Sequence, residues 1–186
     1  MSSIVINHLP AIDSKTYLEL GVFDGKNFES INAKIKESVD VNRNATFTGT
    51  TDEYFKQIDK HKRFDIIFID ANHDHEFVVR DFNNSINHCN EWILIHDMVP
   101  PTKKYTKPSK CSDSYKVLYH LMQDPATEVY TMNENFGLSL IKMPGRHIDL
   151  RDIDKNLKYE NFMEYIKTKK LYNTEEIINI LGGRHV

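Results

Sequence analysis

Two short runs concentrate the titratable chemistry of this 186-residue chain: Asp70-Ala-Asn-His73-Asp-His75 and His96-Asp97. Carboxylates beside imidazoles can pass a proton between them, and both are donor types that hold divalent ions. An imidazole with a pKa near 6.5 can also take a proton from a hydroxyl close to neutral pH. Asp40 lies roughly twenty positions beyond Gly21, the offset at which a carboxylate bonds ribose hydroxyls after a glycine-bearing first turn. Gly21 and Gly25, within Glu19-Leu-Gly-Val-Phe-Asp-Gly, let a ligand approach the main chain with no Cβ in the way.

Each of these groups follows a segment that reads as a strand. Tyr17 to Leu20 is a short apolar run with β-propensity that ends at Gly21. Phe28, Ile31 and Ile35, three and four apart, predict a helix after Gly25. Glu37 to Val41 reads as a second strand ending near Asp40, and Ala45 to Thr48 as a third. Phe64 to Asp70 is the strongest strand, a nearly continuous apolar run suited to burial on both faces. Glu76 to Cys89 carries Val78, Phe82, Ile86 and Cys89 at helical spacing, and Trp92 to Ile95 is another buried strand running into His96-Asp97. Beyond a lysine-bearing loop from Pro100 to about Ser112, Asp113 is expected to cap a helix with Val117, Leu118, Leu121 and Met122 as its apolar stripe. Val129 to Met132 and Leu138 to Met143 predict a closing antiparallel pair, turned through Asn133, Asn135 and Gly137. The charged tail from His147 is expected to be mostly helical. Phe162, Tyr165 and Ile166 pack there, and Ile177, Ile178 and Leu181 form a last short helix before Gly182-Gly183. Strands alternating with helices favour an α/β fold with a parallel sheet, whose ligands bind outside the carboxyl ends of the strands.

Composition narrows the function classes. A net charge of −3 is too mild for a nucleic-acid-coating surface or a polybasic membrane anchor. Met1 to Pro10 lacks a basic start and a long apolar stretch, and nowhere do 18 apolar residues run together, so a soluble cytoplasmic protein is expected. Cys89 and Cys111 suit a reducing compartment and lack zinc-knuckle spacing. Phe23 replaces the second glycine of a Gly-x-Gly-x-x-Gly loop, where its side chain would crowd a pyrophosphate; this argues against a dinucleotide oxidoreductase.

The order of these motifs resembles a class I S-adenosylmethionine-dependent methyltransferase, in the small Rossmann-like branch (family 24-like) with Ile-Asp-x-x-His and His-Asp strand ends. Glu19-x-Gly21-x-x-x-Gly25 matches the first motif, Asp40 the acid after the second strand, and Thr51-Asp52 the adenine-contacting segment. Phe64 to His73 matches the fourth motif and Ile93 to Asp97 the fifth. The resemblance covers about residues 15 to 143. It implies a single domain over 1–186, with a doubly wound, mostly parallel seven-stranded sheet whose last strand is antiparallel. It further implies that Glu19 faces the loop or the methionine amine, that Gly21 and Gly25 admit the methionine and ribose, and that Asp40 holds the ribose. Thr51 and Asp52 would frame the adenine. Asn27 stands where relatives often carry Ser or Thr, and it can still donate a hydrogen bond.

Related O-methyltransferases bind Mg²⁺ with acids at the fourth and fifth strand ends, where this chain has Asp70 and Asp97. His96 occupies a place where they often have an acid, and an imidazole there shifts the preference toward Mn²⁺ or no ion. His73 is then placed as general base, with Asp70 and His96 beside it. The acceptor implied is a small hydroxylated molecule, a sugar or glycan intermediate among the candidates, with Lys103, Lys104, Lys107 and Lys110 attracting an anionic one. A homodimer in which a second copy lends a wall to the acceptor side fits so small a domain. Two further readings stand beside this one: a metal-dependent hydrolase using Asp70, His73, His96 and Asp97, and a non-catalytic donor-binding module.

Overall fold

The computed structural model describes residues 2–42, 44–143, 148, 150 and 153–182. In chain order it contains α1 (Ser2–Asn7), β1 (Thr16–Leu20), α2 (Lys26–Ser30), β2 (Ile35–Asp40), β3 (Phe47–Thr48) and α3 (Thr51–Gln57). Next come β4 (Phe64–Ile69), α4 (His75–Ile86), β5 (Cys89–Ile95), α5 (Tyr115–Leu121), β6 (Val129–Thr131), β7 (Ser139–Lys142), α6 (Tyr159–Ile166) and α7 (Thr174–Leu181). The strands form one sheet of seven in the order β3-β2-β1-β4-β5-β7-β6. Pairing is parallel from β3 through β5, and β7 runs antiparallel to both β5 and β6. The order reverses between β1 and β4, so their carboxyl ends open a crevice, and β2 and β5 flank it.

Both faces of the sheet are covered because the central strands are apolar on both sides. Ile67 and Ile69 enter one buried cluster with Leu18, Leu20, Ile93 and the α4 residues Val78 and Phe82. Ile66 and Phe68 enter the other, with Tyr17, Leu94 and residues of α1 and α7. Phe64 joins the Ile67 side because the β4–β5 register shifts between Phe64 and Ile66. The expected doubly wound sheet with its antiparallel strand is therefore present.

Several local expectations change. The helix after Gly25 ends at Ser30: Ile31 follows it as the cap and Ile35 opens β2. Lys36 Nζ donates to the carbonyls of Phe28 (2.8 Å), Glu29 (3.2 Å) and Ile31 (3.0 Å), satisfying the helix end that the spacing alone would have extended. α3 was not foreseen, yet Thr50 and Glu53 form a capping box at its start. α4 stops at Ile86 and Cys89 already belongs to β5. Asp113 does not cap α5: its carboxylate accepts from the backbone N–H of His75, at the start of α4 (2.7 Å). Phe162 and Ile166 pack in the core as expected, while Gly183 and the start of the tail from His147 lie outside the described residues.

Candidate active site

Gly21 ends β1 with φ +88°, and a Cβ there would lie 2.3 Å from the Asp70 carbonyl oxygen and 2.6 Å from the Ala71 Cα. Only glycine lets the tips of β1 and β4 approach so closely. Asp40, at the tip of β2, ties this turn down: Oδ2 accepts from the backbone N–H groups of Val22 (2.7 Å) and Phe23 (3.1 Å), and Oδ1 from Asn42 (2.8 Å). Burial would raise its carboxyl, but these donors outweigh burial and hold it below the ordinary carboxylate range.

At the tips of β4 and β5 the acids and histidines meet. Asp70 Oδ1 lies 3.2 Å from His73 Nε2 and 3.2 Å from His96 Nδ1. His73 Nδ1 is 2.6 Å from the Lys110 carbonyl and 3.0 Å from Asp97 Oδ2. Burial lowers the His73 imidazole, but the Asp70 hydrogen bond and the Asp97 charge prevail and carry it to about 9. His96 is raised for the same reasons, burial again opposing. Burial would raise Asp70, yet its two histidine bonds hold it low; Asp97 is raised because burial prevails over both imidazoles. Asp97 has φ +60°, a left-handed backbone that is uncommon outside glycine and that Asp tolerates better than most residues. Its Oδ1 is buried with no hydrogen bond, although His96 Nδ1 is 3.5 Å away. Ligand atoms of Asp70, His96 and Asp97 all lie within 4.8 Å of one another.

Three successive residues of the β4–α4 turn fasten the lysine-bearing loop. His73 bonds the Lys110 carbonyl, Ser112 Oγ donates to Asp74, and the His75 ring and backbone both bond Asp113. The lysines themselves face outward: Lys103 pairs with Glu160 (2.6 Å), and Lys104 and Lys110 lie over the Tyr105 ring. On the far side, Met98 and Val99 donate to the Gly137 and Phe136 carbonyls, which brings Phe136 (φ +65°) to the site.

A cavity of about 700 Å³ runs along these strand tips, from Asp40, Thr51 and Asp52 past Gly21 to Asp70, His73, His96 and Asp97. Most of the anticipated residues thus share one wall system, but Glu19, Gly25 and Asn27 do not line it. Glu19 is buried beneath the turn, where its carboxylate accepts from Tyr17 Oη (2.5 Å) and Asn27 Nδ2 (2.9 Å); burial pushes its carboxyl to about 7 against those bonds. Gly25 caps the start of α2 with φ +82°, and a Cβ built there would meet only the Glu29 carboxylate, at an ordinary 3.7 Å. Among the lining residues to which the motifs give no role are Phe23, then Phe77, Arg80 and Asp81 of α4, and Phe136 from the hairpin turn. Asp81 had a signal, because it shares the buried helical face of Val78, Phe82 and Ser85, where an acid is out of place. Phe23 projects 84 % exposed from a left-handed backbone, which no pattern in the sequence announces.

Residues 13–98, which carry β1 to β5 and both strand-end motifs, match the model of a family described as a methyltransferase domain. This stretch, just under half of the chain, carries a methyltransferase domain. This methyltransferase is similar in fold to the O-methyltransferase from Bacillus cereus in complex with SAH, at 12% identity over 75% of this chain and 77% of that one, with TM-score 0.54. It is also similar to the O-methyltransferase TomG from Streptomyces achromogenes in complex with SAM, at 14% identity over 74% and 78% of the two chains, TM-score 0.56. A third likeness is to the MycE methyltransferase of the mycinamycin biosynthetic pathway in complex with Mg and SAH, at 16% identity over 74% of this chain and 48% of that one, TM-score 0.53. At such identities the likeness is one of fold. No curated protein matches the methyltransferase, and none of its described helices is long and apolar enough to cross a membrane.

Proposed function

We propose that this methyltransferase transfers the methyl group to a hydroxyl of a small acceptor, with a divalent cation held by Asp70, His96 and Asp97. The observation that carries the reading is the convergence of these three side chains at one end of the cavity, with the Asp97 Oδ1 buried and unbonded. Two carboxylates and an imidazole fit Mn²⁺ more readily than Mg²⁺, which prefers oxygen ligands throughout. The donor would lie across the strand tips, with its ribose at Asp40 and its methionine part near Gly21.

The donor supplies an electrophilic sulfonium methyl, and the cation would supply positive charge beside the acceptor oxygen. The side chains do the rest. The Lys110 carbonyl fixes a proton on His73 Nδ1, which leaves Nε2 as the nitrogen that can take the acceptor's proton. In the free protein the Asp70 hydrogen bond and the Asp97 charge raise the His73 imidazole against burial; a cation held by those carboxylates would oppose this and leave Nε2 able to take a proton. As the O–CH₃ bond forms, the S–CH₃ bond breaks and the hydroxyl proton passes to His73. Alignment of the three atoms is much of the catalysis. An acceptor bearing an anionic group, such as a phosphorylated or nucleotide-linked sugar, would meet the exposed lysines of the 100–112 loop only outside the cavity, because none of them lines it. The two unpaired thiols fit a cytoplasmic setting.

Calorimetric titration with S-adenosylhomocysteine, with and without Mn²⁺ or Mg²⁺, tests the reading. Micromolar binding at one site per chain, together with an Mn²⁺ site that Asp97→Asn abolishes, is the expected result. Failure of folded protein to bind S-adenosylhomocysteine would turn attention to Asp70, His73, His96 and Asp97 as a hydrolytic centre. Donor binding with no ion site would remove the cation from the mechanism.

A further inference from the structure

Asp81 is a buried acid on the cavity wall that methyl transfer leaves unused. It is 2 % exposed and stands on the face of α4 that sends Val78, Phe82 and Ser85 into the core. A carboxylate at such a place costs free energy unless it is bonded. Its protein partner is the side chain of Thr51, at the start of α3. The neighbouring cation bonds elsewhere: Arg80 reaches Asp52 at 3.0 Å and lies over the Phe77 ring, 4.4 Å from its centroid. An ionised carboxylate has about four acceptor positions, so Asp81 keeps acceptor capacity toward the cavity after Thr51 is satisfied. Burial, with the Asp52 charge adding to it and the Thr51 bond opposing, pushes its carboxyl to about 6, as expected of a group short of donors.

The sheet order decides what meets it. β2 lies on one side of β1, and β4 and β5 on the other. With ribose at Asp40 and the reacting methyl toward Asp70 and Asp97, the purine must extend past Asp40 toward α3 and α4. The cavity lining there includes Val41 and Phe77, apolar surface for a flat ring, and the polar side chains of Thr51, Asp52, Arg80 and Asp81, of which Asp52 and Arg80 bond each other. We propose that Asp81 reads the donor's adenine by accepting a hydrogen bond from its 6-amino group, and so sets specificity for an aminopurine donor. Asp52, with its charge engaged by Arg80, frames the base without reading it. The inference rests on the donor placement proposed above.

The test compares S-adenosylhomocysteine with S-inosylhomocysteine, whose 6-oxo group presents lone pairs where adenine presents N–H. Losing a buried hydrogen bond to a charged acceptor corresponds to about a 10- to 100-fold preference for the adenosyl compound in the wild type. Asp81→Asn, whose carboxamide can donate to the 6-oxo group, should collapse that preference to a few-fold or reverse it; Asp81→Ser serves the same purpose should the Asn variant fail to fold. A merely structural Asp81 would weaken both ligands equally and leave their ratio unchanged, which overturns the inference. So would equal affinities in the wild type, a result that needs no variant, or a preference lost in Asp52→Asn but kept in Asp81→Asn. Absence of binding by either compound would instead count against the donor site itself.

Discussion

Glu19→Gln should alter the pH dependence of stability more than stability itself. Glu19 is 1 % exposed, and its carboxyl is pushed to about 7 from an ordinary 4.5, chiefly by burial. Between those two values the folded chain holds a proton that the unfolded chain has released. The folded state is therefore favoured below about pH 4.5, and this advantage is lost as pH rises through about 7. The gap corresponds to about 3 kcal/mol. A glutamine does not titrate, and its oxygen can still accept from Tyr17 or Asn27. The stability of the variant relative to wild type should thus rise by about 3 kcal/mol from pH 4.5 to pH 8, or roughly 6–12 °C in relative Tm for a domain of this size. Thermal unfolding of ligand-free protein, followed by circular dichroism across that range, measures the difference directly. Parallel Tm curves for the two proteins would refute the argument, because a carboxyl that titrates normally is not desolvated beneath the Gly21 turn.

Gly21→Ala places a Cβ against the Asp70 carbonyl on a left-handed backbone and should cost at least about 3 kcal/mol, a fall of roughly 6–12 °C in Tm; an unchanged Tm would show that the two strand tips do not touch. His73→Ala should slow methyl transfer by about 10²- to 10⁴-fold, while S-adenosylhomocysteine affinity, measured by calorimetry, changes little. Wild-type turnover in that variant would give the proton transfer to another group.

Much of the architecture was legible because the central strands announce themselves. Ile66 to Ile69 and Ile93 to Ile95 are apolar on both faces, and that is possible only beneath helices on both sides. Asp70, His96 and Asp97 were legible for the related reason that charge directly after such a run must emerge at a sheet edge. What escaped the sequence was set by contacts distant along the chain. The end of α2 depends on Lys36 reaching back to three carbonyls, and Asp113 serves a helix that starts 38 residues before it. Phe136 reaches the cavity only because Met98 and Val99 hold its turn. Glu19 shows the converse: its motif was legible, but the motif does not say that the carboxylate is turned under the loop toward Tyr17 and Asn27.

β7 has a consequence for synthesis. It fills the place beside β5, yet it is made after β6 and well after everything that lines the crevice from Gly21 to Asp97. While the chain emerges from the ribosome, Trp92–Ile95 is complete but its outer edge is bare, an apolar strand offering unpaired N–H and C=O groups to any neighbouring chain. At ordinary elongation rates this interval lasts on the order of a few seconds, until Ser139–Lys142 arrive to close the edge. The half of the molecule that carries most of the cavity wall is thus the half most exposed to aggregation during birth, and a nascent chain stalled before β7 would be a natural client for a chaperone.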